Sequence, residues 1–339
     1  MTTAPQVLIS ILNWNNAALT LRCLASLQRA GYLADPRCEV IVIDNASEAS
    51  DAAALSDGAQ ALTIRFERND ENLGFAGGHN AVLREALDRG IDFVWLLNND
   101  ALVDPGALER LLALMASDAR CAMASPCLAF EDSREIYFAG VIQDWQKLGP
   151  AYCPLPWSDE FQARQVDQIW LVGTAILLRS AAVRAVGLLN EALFAYYEDD
   201  DYGERLRLAG WRSRVCQDVV VWHNLKADID VRRKRHFYYL TGRNKLVFYW
   251  RYTPARFRRR LMPRLLVQAV NRADLLRGAG HAELADAVLL GAYDGLRKKL
   301  GNPVMDRRPP LWFRLLMSAG RLVNRIDNRL RGPATVVLE

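Results

Sequence analysis

The chain has 339 residues, of which 51% are hydrophobic and 24% are charged. This is the composition of an ordinary globular protein, so it excludes a disordered, collagen-like or fibrous chain. The net charge of +4 hides an uneven distribution, because residues 1–224 carry 18 Lys+Arg against 30 Asp+Glu, whereas residues 225–339 carry 25 against 9. An acidic N-terminal part and a basic C-terminal part indicate two regions with different roles.

The cysteines and the apolar runs bear on location. Six cysteines form no C-x-x-C pair and lie mostly among apolar neighbours, which predicts reduced, buried thiols. The first six residues lack the basic and apolar segments of a signal peptide. No uncharged apolar run approaches the ~18 residues that a membrane span needs. We therefore expect a cytoplasmic protein.

Apolar strands and amphipathic helices alternate through the first 120 residues. Strands are predicted at 7–12, 39–44, 62–66 and 93–97, and helices at 17–29, 78–89 and 105–115. The last helix is predicted to begin with Asp104 as N-cap and Pro105 in its first position. This alternation predicts an α/β fold with a Rossmann-like, mostly parallel twisted sheet and helices on both faces.

The pattern changes after residue 120. Short strands are predicted at 121–125, 136–142 and 169–178, and a loop rich in Pro, Gly and Trp at 143–161. From Arg232 onward the pattern is helical, basic and aromatic. Such helices are typical of proteins that bind a membrane surface, although a solvated helical bundle is an alternative. No recognised motif supports binding to nucleic acid.

Polar residues follow three of the predicted strands. In an open α/β sheet, ligands bind at the carboxyl ends of the strands. The residues at these positions are Asn13 and Asn15, Asp44, and Asn98 with Asp100. Turn formation explains any one of them, since Asn and Asp favour turns, but three strands together indicate a ligand site. A lone carboxylate such as Asp100 can hold Mg²⁺ or Mn²⁺ when substrate phosphates complete the oxygen shell.

A glycine-rich segment precedes the helix predicted at 78–89. Gly74, Gly77 and Gly78 would allow a ligand to approach the backbone closely, and a helix N-terminus favours an anion such as a diphosphate. The segment is neither G-x-G-x-x-G nor a Walker loop, and a plain turn is the alternative.

The densest acidic cluster is residues 198–201, which precede a short predicted helix with Gly210 as its stop. Acidic residues stabilise a helix start through the helix dipole. Four of them exceed what capping needs, so one carboxylate is a candidate general base.

Seven ordered segments carry a resemblance to a known family. They are Ile11–Asn15, Val42–Ser47, Asn72–Asn80, Leu96–Asp100, Gly173–Arg179, Tyr197–Asp201 and Tyr239–Leu246. Over about residues 6–250 the chain resembles the family 2 inverting glycosyltransferases with the GT-A fold. Among them it is most similar to the bacterial rhamnosyltransferases and galactofuranosyltransferases.

The resemblance implies a donor site in the N-terminal part of the chain. Asp44 would hydrogen-bond the nucleobase of a nucleotide sugar, and Asn13 and Asn15 would line the same pocket. Asn72 and the glycine segment, Gly74, Gly77 and Gly78, would approach the ribose and diphosphate.

The resemblance also implies a metal and a base. Asp100 would bind Mg²⁺ or Mn²⁺ with Asn98 nearby, and His223 is at the position where galactofuranosyltransferases add a histidine ligand. Asp199 would be the base that deprotonates the acceptor hydroxyl. The chain departs from the family in having one carboxylate in the metal motif, His79 where relatives often carry Asn, and Asp200 in a slot that is often apolar.

Taken as a whole, the resemblance implies a catalytic domain over 1–230, with a donor half at about 1–120 and an acceptor half at about 121–230. A helical basic region, 231–339, follows. The implied activity is transfer of L-rhamnose from dTDP-L-rhamnose to a glycan or lipid-linked glycan in cell-surface polysaccharide assembly, at the cytoplasmic face of the inner membrane. The alternatives are a UDP-galactofuranose or other UDP-hexose donor, a non-catalytic sugar-binding module, and a nucleotidyltransferase.

Overall fold

The structure, a computed structural model, describes residues 4–144, 149–152, 169–223 and 231–317. The chain divides into two compact units, Met1–Ala227 and Asp228–Glu339. The first unit contains all the described strands and the second is helical. The five cysteines that lie within the described residues are free thiols.

Strands and helices alternate regularly in the first part of unit one. Its elements, in chain order, are β1 Val7–Asn13, α1 Ala17–Arg29, β2 Cys38–Asp44, α2 Ala49–Ala61, β3 Arg65–Arg68, α3 Gly74–Arg89, β4 Phe93–Asn98, β5 Ala101–Val103 and α4 Ala107–Ser117.

The rest of unit one is richer in strands. Its elements are β6 Cys121–Phe130, β7 Ile136–Phe138, β8 Val141–Asp144, β9 Gly149–Tyr152, β10 Ile169–Trp170, β11 Ala175–Arg179, α5 Ser180–Val186, the 3₁₀ helix Glu191–Leu193, α6 Glu198–Leu208 and β12 Arg212–His223.

The main sheet has the strand order β3-β2-β1-β4-β11-β6-β12-β5, and β7 pairs with β6. Strands β3, β2, β1 and β4 are mutually parallel, whereas β11 runs antiparallel to both β4 and β6. A separate three-stranded sheet has the order β10-β8-β9. The sheet is therefore mixed, with the predicted parallel half intact.

The strand order reverses between β1 and β4. The chain moves from β1 outward to β2 and β3, then returns across β1 to β4. Because parallel crossovers are right-handed, this reversal places α3 on the opposite face of the sheet from α1 and α2. A reversal of this kind opens a crevice at the carboxyl ends of the two strands, where α/β proteins bind ligands. The core of β1 and β4 includes Ile9, Ile11 and Trp95, all fully buried.

The predicted boundaries of the third strand and of the helix after β5 are wrong. The third strand is Arg65–Arg68 and not 62–66, because α2 extends to Ala61 and Thr63 turns the chain with a φ of 56°. Helix α4 begins at Ala107, so Pro105 is not its first residue and Asp104 is not its N-cap. Gly106, directly before the first residue of α4, has a φ of 80°, a left-handed conformation that glycine adopts without strain.

Other segments also differ from their prediction. The apolar run 169–178 is two strands, β10 and β11, separated by a short connection, and the predicted strand 136–142 is split at Gly140, whose φ is 98°. Strand β6 continues to Phe130, beyond the predicted end at 125. Part of the predicted loop 143–161 forms β8 and β9, and its remainder, 145–148 and 153–161, lies outside the described residues.

Unit two is built from α7 Val231–Tyr252, α8 Ala255–Gly278, α9 Ala282–Leu296 and a further helix over 311–317. Helices α7 and α9 cross with their backbones in close contact. A Cβ atom at Gly291 would lie 2.1 Å from the Tyr239 carbonyl oxygen, and one at Gly295 would lie 2.6 Å from that of Arg243. The segment Tyr239–Leu246, which carries part of the family resemblance, therefore forms one side of this crossing.

Candidate active site

Asn13 joins the ends of the first two strands. Strand pairing places it beside Asp44, and its side-chain amide donates to Asp44 Oδ1 at 3.0 Å and to Asp51 Oδ2 at 2.9 Å. The Thr20 hydroxyl donates to Asn13 Oδ1 at 2.8 Å. Asn13 is fully buried, so it acts here by fixing its neighbours. That it lines a nucleotide pocket stays a prediction.

Asp44 and Asn15 hold the turn after β2. The Asp44 carboxylate accepts the Ser47 amide at 3.2 Å, lies 3.6 Å from Arg68 Nε and is fully buried. Asn15 is exposed and accepts the Glu48 amide at 2.7 Å through its side-chain oxygen. A contact of either residue with a nucleobase stays a prediction.

Asn45, which was not among the predicted site residues, organises the approach to α3. Its Oδ1 accepts the Leu73 amide and the Asn69 side chain, both at 3.0 Å, while its Nδ2 donates to Asn72 Oδ1 at 2.8 Å. Asn72 in turn accepts the Gly74 amide at 2.9 Å. The position of Asn45 directly after Asp44, at a strand end, was the available signal.

The glycine segment is part of a helix and not a loop before it. Helix α3 begins at Gly74, four residues earlier than predicted. A Cβ atom at Gly74 would lie 2.3 Å from the Phe194 carbonyl oxygen, one at Gly77 2.7 Å from Leu73 Cβ, and one at Gly78 2.4 Å from Leu12 Cδ1. The close approach that these glycines permit is therefore to the chain itself. One amide at the helix start, that of Ala76, is also used, since it donates to the Phe194 carbonyl at 3.2 Å.

The predicted metal ligands Asp100 and His223 lie side by side. His223 is the last residue of β12 and pairs with Ala101 of β5, which places its Nε2 2.9 Å from Asp100 Oδ1. Its Nδ1 lies 2.7 Å from the Tyr137 hydroxyl. Burial, followed by the charge of Asp100, raises the pKa of Tyr137, while a hydrogen bond with Thr174 lowers it. Asn98 is the last residue of β4, two positions before Asp100.

These two side chains fit a divalent cation as a partial ligand set. Within the described residues, no cluster of three or more His, Cys, Asp or Glu side chains could hold a metal by itself. A carboxylate and an imidazole are both ligands that Mn²⁺ accepts, and Mg²⁺ or Mn²⁺ commonly completes its shell with substrate phosphates and water. Asp100 remains 22% exposed and so accessible to a ligand.

Asp199 is held by backbone amides at the start of α6. Its Oδ2 accepts the Gly173 amide at 2.7 Å and its Oδ1 accepts the Asp200 amide at 2.9 Å. Burial raises the pKa of Asp199, and these amides oppose the shift. The pKa of neighbouring Glu198 is raised well above its usual range by burial and by the charge of Asp199. An oriented carboxylate with a raised pKa is suited to act as a general base.

The segment that leads into α6 is strained. Phe194, Tyr196 and Tyr197 have φ values of 70°, 67° and 70°. Bulky residues rarely adopt this left-handed conformation, and such strain is found preferentially at functional sites. Phe194 is also the residue whose carbonyl contacts the start of α3, so the glycine segment and the acidic cluster meet here.

The other members of the acidic cluster are placed differently. Asp201 is buried and pairs with Arg205 at 2.9 Å, and Arg205 also donates to the carbonyls of Val186 and Leu188. Asp201 thus anchors α6. Asp200 is half-buried at the helix start. Asp199 remains our candidate for the base.

The connection before β11 contacts both the candidate base and the end of β4. Gly173 donates to Asp199, and the next residue, Thr174, accepts the Asn98 amide at 2.8 Å through its carbonyl. The structure therefore brings Asp199, Asn98, Asp100 and His223 to one edge of the sheet. Asn13 and Asp44 lie on the other side of the strand-order reversal.

Comparisons with known proteins agree with this architecture. The family model described as Glycosyl transferase family 2 matches residues 8–183, about half of the chain. Among characterised proteins, an N-acetylglucosaminyl-diphospho-decaprenol L-rhamnosyltransferase of Mycobacterium tuberculosis is 27% identical over 222 residues, which cover 60% of this chain and 71% of the relative. A hexosyltransferase of low-salt glycan biosynthesis from Haloferax volcanii is 23% identical over 210 residues, or 62% of this chain and 66% of the relative.

The fold is also similar to that of solved glycosyltransferases. A mannosyltransferase from Pyrobaculum calidifontis, in complex with GDP-Man and Mn²⁺, superposes with a TM-score of 0.53 at 17% identity and covers 98% of this chain and 89% of its own. This likeness, together with the family match, confirms the predicted GT-A type fold.

Proposed function

The chain belongs to glycosyl transferase family 2, and from this premise we propose that it transfers L-rhamnose from dTDP-L-rhamnose to a glycan or lipid-linked glycan. The rhamnosyltransferase relative, whose name specifies L-rhamnose and a diphospho-decaprenol acceptor, supports this sugar and this acceptor class. The hexosyltransferase relative supports transfer of a hexose, and the second candidate donor is therefore UDP-galactofuranose or another UDP-hexose. The observation that supports a catalytic role, as opposed to a binding module, is the Asp199 carboxylate oriented by the Gly173 and Asp200 amides.

The proposed chemistry is a single displacement. Asp199 takes the proton of the acceptor hydroxyl, whose oxygen attacks the anomeric carbon while the nucleoside diphosphate leaves from the opposite face. One base on the attacking side gives inversion, whereas two flanking carboxylates would indicate a glycosidase. Asp100 and His223 would hold Mg²⁺ or Mn²⁺, which when bound supplies positive charge to the leaving diphosphate.

Replacement of the proposed base tests this mechanism. We expect Asp199→Asn to lower kcat by ~10²–10⁴-fold, the usual contribution of a general base, with donor binding retained. Because burial raises the pKa of Asp199, the acidic limb of the kcat profile should lie above the ordinary value of 3.8. Asp200→Asn is the matched comparison. If Asp199→Asn keeps full activity and Asp200→Asn loses it, the base is Asp200.

The metal requirement is tested by chelation. We expect EDTA to abolish transfer, Mg²⁺ or Mn²⁺ to restore it, and Asp100→Ala to reproduce the loss. Transfer that persists in EDTA would mean that basic side chains neutralise the diphosphate instead.

The donor is identified by thermal shift. A ligand that binds the native state raises stability by RT ln(1 + [L]/Kd), so dTDP-L-rhamnose should raise Tm more than UDP-galactofuranose or other UDP-hexoses in the presence of Mg²⁺ or Mn²⁺. A larger shift with a UDP-sugar would favour the second candidate.

We further propose that unit two binds an anionic membrane surface at the cytoplasmic face, where a lipid-linked acceptor is found. Residues 231–317 contain 20 Lys+Arg and 5 Asp+Glu, and each cation near an anionic leaflet contributes about 1 kcal/mol. The 311–317 helix buries Phe313 and Met317 but exposes an apolar face made of Leu311, Trp312, Leu315 and Leu316, each at least 59% exposed. Among the described helices, none is long and apolar enough to span a bilayer.

Liposome co-sedimentation separates the two contributions. Arg259 and Arg260 are exposed, whereas Arg258 donates to the Thr253 carbonyl, so Arg259→Gln with Arg260→Gln is cleaner than a change that includes Arg258. This double variant should weaken binding at 0.1 M salt, where the Debye length is about 10 Å, and have little effect at 1 M, where it is about 3 Å.

The apolar face is tested at high salt. Leu315→Gln with Leu316→Gln should weaken the vesicle binding that remains at 1 M salt. Leu208 is an equally exposed leucine of unit one, and Leu208→Gln should leave that binding unchanged. Absence of binding by the parent to anionic vesicles would reduce unit two to a solvated helical bundle.

A further inference from the structure

We propose that Tyr137 is a positioning residue for the metal site: its hydroxyl holds His223 in the orientation and tautomer that present Nε2 to a divalent cation. The inference rests on the metal binding proposed above for Asp100 and His223. Tyr137 was not among the residues singled out by the sequence.

The backbone places Tyr137 at this position by an irregularity. Strand β7 pairs with β6 so that Leu128 lies opposite Phe138 and the next residue, Ala129, lies opposite Ile136. Tyr137 is therefore the extra residue of a β-bulge. Bulges beside active sites commonly redirect one side chain, and this one brings the Tyr137 hydroxyl to 2.7 Å from His223 Nδ1.

The two rings are also packed against each other. Their planes differ by 29° and their centroids are 6.2 Å apart, while Phe130 covers Tyr137 at 4.7 Å. Thr174 lies close enough to Tyr137 to influence its pKa, and it follows Gly173, whose amide holds Asp199.

The hydroxyl is needed because a neutral imidazole has one donor and one acceptor nitrogen. Without a cation, Nε2–H donates to Asp100 and Nδ1 accepts the hydrogen of Tyr137. For Nε2 to bind a cation through its lone pair, the proton must be on Nδ1, and the oxygen of Tyr137 must then accept it. A tyrosine hydroxyl can form a hydrogen bond with Nδ1 in both tautomers, whereas phenylalanine can do so in neither.

Mn²⁺ binding to the 339-residue chain tests this role directly. Free Mn²⁺ is measured by electron paramagnetic resonance, with Mn²⁺ alone and with saturating UDP or dTDP. We expect Tyr137→Phe to weaken Mn²⁺ binding by ~10–100-fold, the usual effect of losing a group that orients a metal ligand. Tyr32→Phe is the matched control, because it removes a buried hydroxyl that donates to Glu109 and accepts the Leu108 amide, away from the site.

A double-mutant comparison shows whether Tyr137 acts through His223. We expect His223→Ala to weaken Mn²⁺ binding, and Tyr137→Phe to add little in that background. If Tyr137→Phe lowers affinity equally with and without His223, it acts elsewhere and the inference is wrong. It is also wrong if Tyr137→Phe binds Mn²⁺ as the parent does, or if His223→Ala does.

The remaining outcomes are equally informative. Should the parent bind Mn²⁺ under neither condition, the proposed metal site and this inference fail together, whereas the transferase activity is judged separately by the Asp199 variants. If Tyr137→Phe does not fold, as judged by circular dichroism, Phe130→Leu provides the second test. It removes the ring that packs on Tyr137 and should weaken Mn²⁺ binding in the same direction; unchanged binding would overturn the inference.

Discussion

Gly74 and Gly90 offer a matched pair of substitutions at the two ends of α3. Both have a φ of 70°, so alanine carries the same left-handed strain at each, about 1–2 kcal/mol. Their surroundings differ. A Cβ atom at Gly90 would meet nothing within 4 Å, whereas one at Gly74 would lie 2.3 Å from the carbonyl oxygen of Phe194.

The difference between the two variants isolates this contact. Overpacking of a buried site costs about 1–3 kcal/mol, and the hydrogen bond from the Ala76 amide to Phe194 would be disturbed as well. We expect Gly90→Ala to lower the free energy of unfolding by about 1–2 kcal/mol and Gly74→Ala to lower it by about 2–5 kcal/mol. Urea unfolding followed by circular dichroism measures both.

Kinetics then separate a packing role from a ligand-binding role for Gly74. If the glycine only accommodates Phe194, alanine displaces the strained segment that leads to Asp199. A displacement near 1 Å can cost ~10²-fold in rate, so kcat should fall more than the donor KM rises. A rise in donor KM with kcat unchanged would instead indicate contact with the donor diphosphate. Equal stability losses for Gly74→Ala and Gly90→Ala would refute the packing argument.

Three further substitutions test buried polar groups of unit one by urea unfolding. Burial lowers the pKa of His79 from 6.5 to about 3, so the neutral imidazole stabilises the fold above pH 6.5 and this stability is lost as pH falls. From pH 7 to pH 5 the free energy of unfolding of the parent should fall by about 2 kcal/mol more than that of His79→Gln. The same pH dependence of stability in both proteins would contradict this. The pKa of Glu198 is raised, so Glu198→Gln should be more stable than the parent by a margin that grows as pH rises above 4.5. Asn45→Ala should cost about 2–4 kcal/mol, because it loses the hydrogen bonds with Asn69, Asn72, the Leu73 amide and the Gly74 carbonyl, and it should raise the donor KM. A loss below about 0.5 kcal/mol would show that the 69–74 turn keeps its conformation without Asn45.

Strands β1, β2 and β4 could be predicted because they are short, apolar and followed by polar residues. The register that places Asn13 beside Asp44, and Leu12 beside Asn98, follows from that pattern. Helix α2 was missed because only one of its buried residues, Leu55, is large. Alanines on both faces of Ala49–Ala61 leave little contrast between buried and exposed positions, although Ala52, Leu55 and Ala59 have helical spacing.

The site was predicted in part, for a physical reason. Asp100 and His223 are 123 residues apart and meet only because β12 pairs with β5; the family resemblance, and not the spacing, indicated this pair. Tyr137 had no signal, because a single inserted residue in β7 redirects its side chain. The role of Gly74 was read as an approach to a ligand, since a sequence does not reveal that Phe194 would occupy that space.

The reversed direction of β11 has a consequence for how specificity can diversify. Because β11 runs against its neighbours β4 and β6, the residues that lead into it, Gly173 and Thr174, border the site. Upstream they continue into β10, which belongs to the separate small sheet. We therefore expect changes in β10 to reach Asp199 through Gly173 while the registers of β1, β2 and β4, which place Asn13 and Asp44, stay intact. The two sides of the site could then change independently.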